Sequence, residues 1–154
     1  MGGSVFMKKI NIGLIGFGTV GTGVAKILIE NRDLITSRVG AELILKRIAD
    51  IDVARDRGIR LENGVLIQDA DKLVCDPDID IVIELIGGDG IAKDLILKAI
   101  ENKKHVVTAN KALLAGKGDV IFKAAASKRV DIAFEASVAG CIPIIKTLRE
   151  SLVG

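Results

Sequence analysis

The strongest constraint on this chain is Gly16-Phe17-Gly18-Thr19-Val20-Gly21, because it sits between two segments of different hydrophobic period. Before it, Lys9 to Ile15 carries Ile10, Ile12, Leu14 and Ile15, the near-continuous apolar run expected of a strand buried on both faces. After it, Val20, Val24, Ile27 and Leu28 recur at helical spacing and predict one face packed on a sheet. In a strand-turn-helix setting Gly16 permits the tight turn, Gly18 lets backbone come close to a pyrophosphate, and Gly21 allows helix and strand to pack together. Unpaired N–H groups and the positive end of the macrodipole at the helix start favour an anion there. The motif therefore predicts a dinucleotide cofactor, NAD or NADP. A Gly-rich turn without a ligand is the plainer alternative, and the strand and helix on either side count against it.

The rest of the chain repeats the alternation. Strands are expected at Ala41 to Ala49, Val65 to Ile67, Ile79 to Ile86, His105 to Thr108 and Val130 to Ala136. Between them lie segments of helical period: Ala92, Leu95, Ile96, Ala99 and Ile100 on one face, a helix after Asn110, another near Asp119 to Lys128, and a last one from Pro143 to Leu152. Asp76-Pro77-Asp78 and Gly87-Gly88 punctuate the fourth strand as turns. This is the pattern of a doubly wound α/β fold, a mainly parallel Rossmann-type sheet with helices on both faces. At 154 residues with 49% hydrophobic content, one core is expected, over residues 8–154, with residues 1–7 a leader outside it.

The remaining composition excludes several classes. A net charge of +2 from 22 basic and 20 acidic residues, with four Phe and no Trp or Tyr, argues against nucleic acid. No apolar run reaches the ~18 residues of a membrane span. Cys75 and Cys141 lie far apart, and with the lone His105 they form neither a zinc spacing nor a disulfide framework, so a reducing cytoplasm is expected.

Further candidates follow from where ligands sit in such sheets, beyond the carboxyl ends of the strands at the switch in strand order. Asp50, ending the second strand, is placed to accept from the adenosine ribose, or is only a helix cap or turn residue; its interval from Gly16 exceeds the usual ~20 residues, which a longer first helix and loop would explain. A carboxylate there favours the 2′-hydroxyl of NAD, whereas Arg47, Arg55 and Arg57 nearby could take the 2′-phosphate of NADP, and the sequence leaves both open. Gly87 and Gly88 end the fourth strand and would admit the nicotinamide half, or serve only as a turn. Thr108, Asn110 and Lys111 end the fifth strand on the same edge. Composition alone would make Lys111 a solvated lysine.

Four segments together resemble homoserine dehydrogenase: the Gly16–Gly21 motif, Glu84-Leu85-Ile86-Gly87-Gly88, Val106 to Ala115 with Thr108-Ala109-Asn110-Lys111 at its centre, and Glu135-Ala136-Ser137-Val138-Ala139-Gly140 followed by Ile142-Pro143-Ile144-Ile145. The resemblance runs from about Lys8 to the end. It implies NAD(P)-dependent interconversion of L-homoserine and L-aspartate 4-semialdehyde on the way to threonine and methionine, in an oligomeric family. It implies that Phe17, Thr19 and Val20 contact the dinucleotide, that Lys111 acts at the nicotinamide and substrate, and that a monovalent cation, Na+ or K+, sits at Glu135, Val138, Gly140 and Ile142, held largely by main-chain oxygens. Two positions depart from the family pattern, Cys141 for a Gly and Ile91 for a Pro. The resemblance also implies a substrate domain after Gly154, so the chain by itself is expected to bind cofactor without turnover. A non-catalytic redox-sensor module and another amino-acid-pathway dehydrogenase are the competing readings. A sensor needs neither Lys111 nor the Glu135 block, which are also more specific to the first family than the opening motif.

Overall fold

The computed structural model describes residues 7–88, 90–138, 140 and 142–151. Residues 1–6 of the expected leader, Cys141 and Leu152 lie outside them. Six strands form one all-parallel sheet: β1 (Lys8–Ile15), β2 (Ala41–Ala49), β3 (Leu66–Ile67), β4 (Ile81–Glu84), β5 (His105–Thr108) and β6 (Ile132–Ala133). The spatial order is β3-β2-β1-β4-β5-β6, so the chain reverses direction across the sheet between β1 and β4. The helices are α1 (Thr19–Glu30), α2 (Arg32–Val39), α3 (Ala70–Cys75), α4 (Gly90–Glu101), α5 (Lys111–Lys128) and α6 (Ile144–Glu150).

Alternation along β1 divides the core. Leu14 packs with Phe17, Ala25 and Ile48 on the α1 face, while its neighbour Ile15 joins Leu73, Val82, Ile96 and Val106 on the other. The second cluster is the larger, because α3, α4 and α5 all lie on that side. The α4 face from Ala92 to Ile100 is buried as its period predicts. Gly13 in β1 sits under α3, where a Cβ would fall 2.6 Å from Leu73 Cδ2.

Several expectations need correction. The buried residues of α1 are Gly21 and Ala25, with Val24 and Leu28 partly covered, whereas Val20 and Ile27 are exposed. Gly21 sets that rotation: an added Cβ would stand 1.9 Å from the Gly16 carbonyl oxygen, so this small residue, not the large ones, must face the turn. The long interval between Gly16 and Asp50 is taken up by α2, whose charged sequence shows no apolar stripe and which buries no residue. The two helices expected after Asn110 are one, Lys111–Lys128, since Gly116 and Gly118 are accommodated within it. The helix α3 was not anticipated, being too short to show a period. β4 and β6 are shorter than their apolar runs, and Glu135–Ser137 forms a 3-10 turn where strand was expected. α6 buries none of its residues, and Leu148 stands 52% exposed. No helix among the described residues is long and apolar enough to cross a membrane.

Candidate functional site

The carboxyl ends of β1, β2 and β4 open onto a cleft of about 520 Å³ at the switch in strand order. Gly16, Gly18, Asp50, Arg57 and Gly87 line it, together with the apolar side chains of Ile51, Ile86 and Ile91. Ile51 and Ile91 are 86% and 73% exposed, so apolar surface waits uncovered at the mouth.

The glycine loop is built for close approach. Gly16 adopts φ +95°, and a Cβ there would lie 2.8 Å from the Leu85 carbonyl carbon. Gly18 is the N-cap of α1 without a side-chain cap, and the space where its Cβ would stand holds nothing within 4 Å. The first-turn N–H groups of α1 therefore face an open cradle, the arrangement that receives phosphate oxygens.

Asp50 and Arg57 brace this loop from below. One Asp50 oxygen accepts from the Phe17 N–H at 2.6 Å, and the other accepts from the Asp52 N–H at 2.8 Å and from Arg57 at 3.2 Å. Arg57 also donates to the carbonyls of Phe17 (2.5 Å), Asp52 (2.7 Å) and Arg55 (2.9 Å), and its guanidinium lies over the Phe17 ring. Both side chains are largely buried. Asp50 thus lines the cleft, and it also fixes the backbone of the loop. Arg47 is engaged elsewhere, donating to the Gly64 carbonyl and pairing with Asp76. Arg55 lines the cleft.

On the β4–β5 side a second network ties the strand ends together. The fully buried Glu84 accepts from the N–H groups of Ile86 and Gly87 and from the Thr108 hydroxyl, its register partner across the strands. Thr108 in turn accepts from the Asn110 N–H at 3.0 Å. The Asn110 amide donates to the Gly88 carbonyl, and its oxygen caps α5 through Leu113. Gly87 and Gly88 take φ +70° and +72°, backbone that favours glycine. Lys111, the first residue of α5, is exposed just beyond this network. Thr108 and Lys111 do not line the cleft itself; they stand at the neighbouring strand end. The role of Glu84 was not anticipated, although a charge closing the most apolar strand beside two glycines is the signal that marks it.

The proposed cation residues lie in the β6–α6 connection, apart from the cleft. The Glu135 carboxylate accepts from the N–H groups of Ile145 (2.8 Å) and Lys146 (3.0 Å), capping α6. The Glu135 and Ile142 carbonyls accept from Val138 and Ile144, Gly140 has φ +60°, and Val138 and Ile142 are more than half exposed.

A family model described as the NAD-binding domain of homoserine dehydrogenase matches residues 16–135. The chain belongs to the homoserine dehydrogenase family. The homoserine dehydrogenase of Neisseria gonorrhoeae is 49% identical over 146 residues, 95% of this chain and 33% of that protein. The crystal structure of the Thiobacillus denitrificans homoserine dehydrogenase superposes with a TM-score of 0.85 at 50% identity, covering 95% of this chain and 34% of that one. A hyperthermophilic archaeal homoserine dehydrogenase solved in complex with NADPH gives a TM-score of 0.77 at 27% identity, covering 95% of this chain and 50% of that one. The chain thus spans about a third of the curated relatives it matches, and the matched stretch is the NAD-binding domain of homoserine dehydrogenases.

Proposed function

We propose that this chain supplies the cofactor half of an enzyme interconverting L-homoserine and L-aspartate 4-semialdehyde, in the supply of threonine and methionine. The observation that carries the reading is the open cradle at Gly18, set at the N-terminus of α1 and beside the Asp50 carboxylate. The residues fit a dinucleotide: Gly16, Phe17, Gly18, Thr19, Val20 and Gly21 for the pyrophosphate, Asp50 for the adenosine ribose, and Gly87 and Gly88 for the nicotinamide side, whereas Thr108 is fully buried and acts only through Glu84 and Asn110. When bound, the nicotinamide would supply the hydride acceptor for the carbinol carbon, or the hydride donor for the aldehyde. Lys111, exposed at the strand end beside that loop, orients substrate and cofactor. The relatives' further two thirds hold the substrate against it, since hydride transfer needs both partners positioned.

We further infer that the 2′-hydroxyl form, NAD, is preferred. Arg57 is committed to Asp50 and three carbonyls, and Arg47 to Gly64 and Asp76, which leaves a carboxylate facing the ribose with Arg55 as the cleft's remaining arginine. A monovalent cation at Glu135, Val138, Gly140 and Ile142 belongs to the same proposal. Because the Glu135 carboxylate caps α6, main-chain oxygens would hold the ion, a donor set suited to a hard cation.

Calorimetric titration with NAD+, NADH, NADP+ and NADPH, beside a homoserine oxidation assay on the same sample, tests the reading. Binding without turnover, tighter for the non-phosphorylated pair, is the expected result. Absence of binding by all four would overturn it.

A further inference from the structure

The strand that ends beside the glycine pair closes on a buried charge. Glu84 is fully buried, and its oxygens accept three hydrogen bonds: from Ile86 N–H at 2.9 Å, Gly87 N–H at 3.3 Å and the Thr108 hydroxyl at 2.6 Å. None of the ion pairs among the described residues includes it. Dipoles alone offset the cost of taking a carboxylate out of water, and a neutral amide could accept from the two backbone donors and donate to the Thr108 hydroxyl with a smaller desolvation cost. The charge therefore calls for an explanation beyond holding the loop.

Its position supplies one. Two of its three donors belong to the Ile86–Gly88 turn, and Asn110 holds the same turn through the Gly88 carbonyl. Under the function proposed above, on which this inference rests, that turn supports the nicotinamide half of the dinucleotide. The oxidised nicotinamide ring carries one positive charge that the reduced ring lacks. A fixed negative charge behind the turn, buried where water screens it little, acts differently on the two forms.

We propose that Glu84 is a positioning residue whose buried carboxylate biases the site toward the oxidised dinucleotide, lowering the Kd of NAD+ relative to that of NADH. Its hydrogen bonds shape the turn, and its charge sets the redox preference. Glu84→Gln separates the two. The amide oxygen can still accept from Ile86 and Gly87, and the amide nitrogen can donate to the Thr108 hydroxyl, whose second lone pair keeps the Asn110 N–H.

The test is the ratio of Kd for NADH to Kd for NAD+, measured by titration on the wild-type chain, Glu84→Gln and Glu84→Asp, with far-UV circular dichroism to verify folding. Glu84→Gln should lower the ratio about three- to tenfold, the effect of one charge in a medium of effective dielectric ~20 or above. Glu84→Asp keeps the charge but shortens the reach to the turn, so both affinities should weaken while the ratio stays within about twofold of wild type. An unchanged ratio in folded Glu84→Gln overturns the inference, and so does a collapsed ratio in folded Glu84→Asp, which remains decisive if the Gln variant does not fold. Failure of the wild-type chain to bind either form removes the cofactor reading itself. Binding with an unmoved ratio removes only the role of the charge.

Discussion

The Arg57 guanidinium lies 4.7 Å from the centroid of the Phe17 ring, and its Nε donates to the carbonyl of the same residue at 2.5 Å. One side chain from the loop after β2 thus holds both the ring and the backbone of a residue inside the glycine motif. Phe17 is 2% exposed and belongs to the α1-side core, so the cofactor loop is anchored to that core through this contact.

Replacing Arg57 with Ala should cost about 2–4 kcal/mol in stability, as expected for removing a largely buried, hydrogen-bonded charge from its partner. It should also weaken dinucleotide binding, because Phe17 and Asp50 lose a shared support. Arg57→Lys keeps the charge without the planar fork and should recover only part of either loss. Urea denaturation and cofactor titration measure the two effects. A loss of stability under about 0.5 kcal/mol, the scale of an ordinary surface change, would contradict the anchoring role.

Two glycines of the motif should respond in opposite ways. Gly21→Ala places a Cβ 1.9 Å from a backbone oxygen, so α1 must move and stability should fall by about 1–3 kcal/mol, the range of overpacking. Gly18→Ala meets nothing within 4 Å and should cost about 1 kcal/mol or less, the scale of an N-cap change. Its methyl enters the cradle, however, and dinucleotide Kd should rise at least about tenfold, equivalent to ~1.4 kcal/mol. Thermal melts and titrations on both variants decide this, and wild-type affinity in Gly18→Ala would place the phosphates elsewhere.

Asn110 and Lys111 are neighbours with different work. Asn110→Ala removes the cap of α5 and the tie to Gly88, and should cost about 1–2 kcal/mol. Lys111→Met changes an exposed side chain and should leave stability within about 0.5 kcal/mol. In a protein of the relatives' full length, Lys111→Met should instead reduce homoserine turnover. Denaturation curves beside steady-state assays would show the split, and full turnover in Lys111→Met would remove it from the proposed chemistry.

At the opposite end of the sheet, Lys104 is 2% exposed and donates to the carbonyls of Asp76 (2.5 Å) and Ile79 (2.8 Å). Burial holds its pKa below the ordinary lysine value of 10.5, against the opposing pull of Asp76 and Asp80. The folded chain therefore releases this proton before the unfolded chain does. Between the two pKa values the unfolded state binds more protons, so stability rises with pH across that window. Measured against Lys104→Met, the wild-type chain should gain stability as pH is raised toward 10.5. A difference that is flat or falls with pH would show that burial does not penalise the charge.

The amino-acid sequence by itself determined the alternation of strands and helices, the parallel sheet and the place of the glycine loop. These follow from local periodicity: the apolar run before Gly16, the three glycines, and the Ala92–Ile100 face can each be read without knowing what lies across the sheet. Asp50, Gly87, Gly88, Thr108 and Lys111 were legible as candidates because strand ends can be counted along the chain. What they touch was not. The rotation of α1 is set by the contact between Gly21 and Gly16, which outranks the larger apolar residues Val20 and Ile27. The commitment of Arg57 to Phe17 and Asp50 depends on a loop folding back across 40 positions. Glu84 meets Thr108 only because β4 and β5 pair in one register. Periodicity is a property of neighbours along the chain, whereas these contacts join residues far apart in it, and only the packed sheet brings them within hydrogen-bond reach.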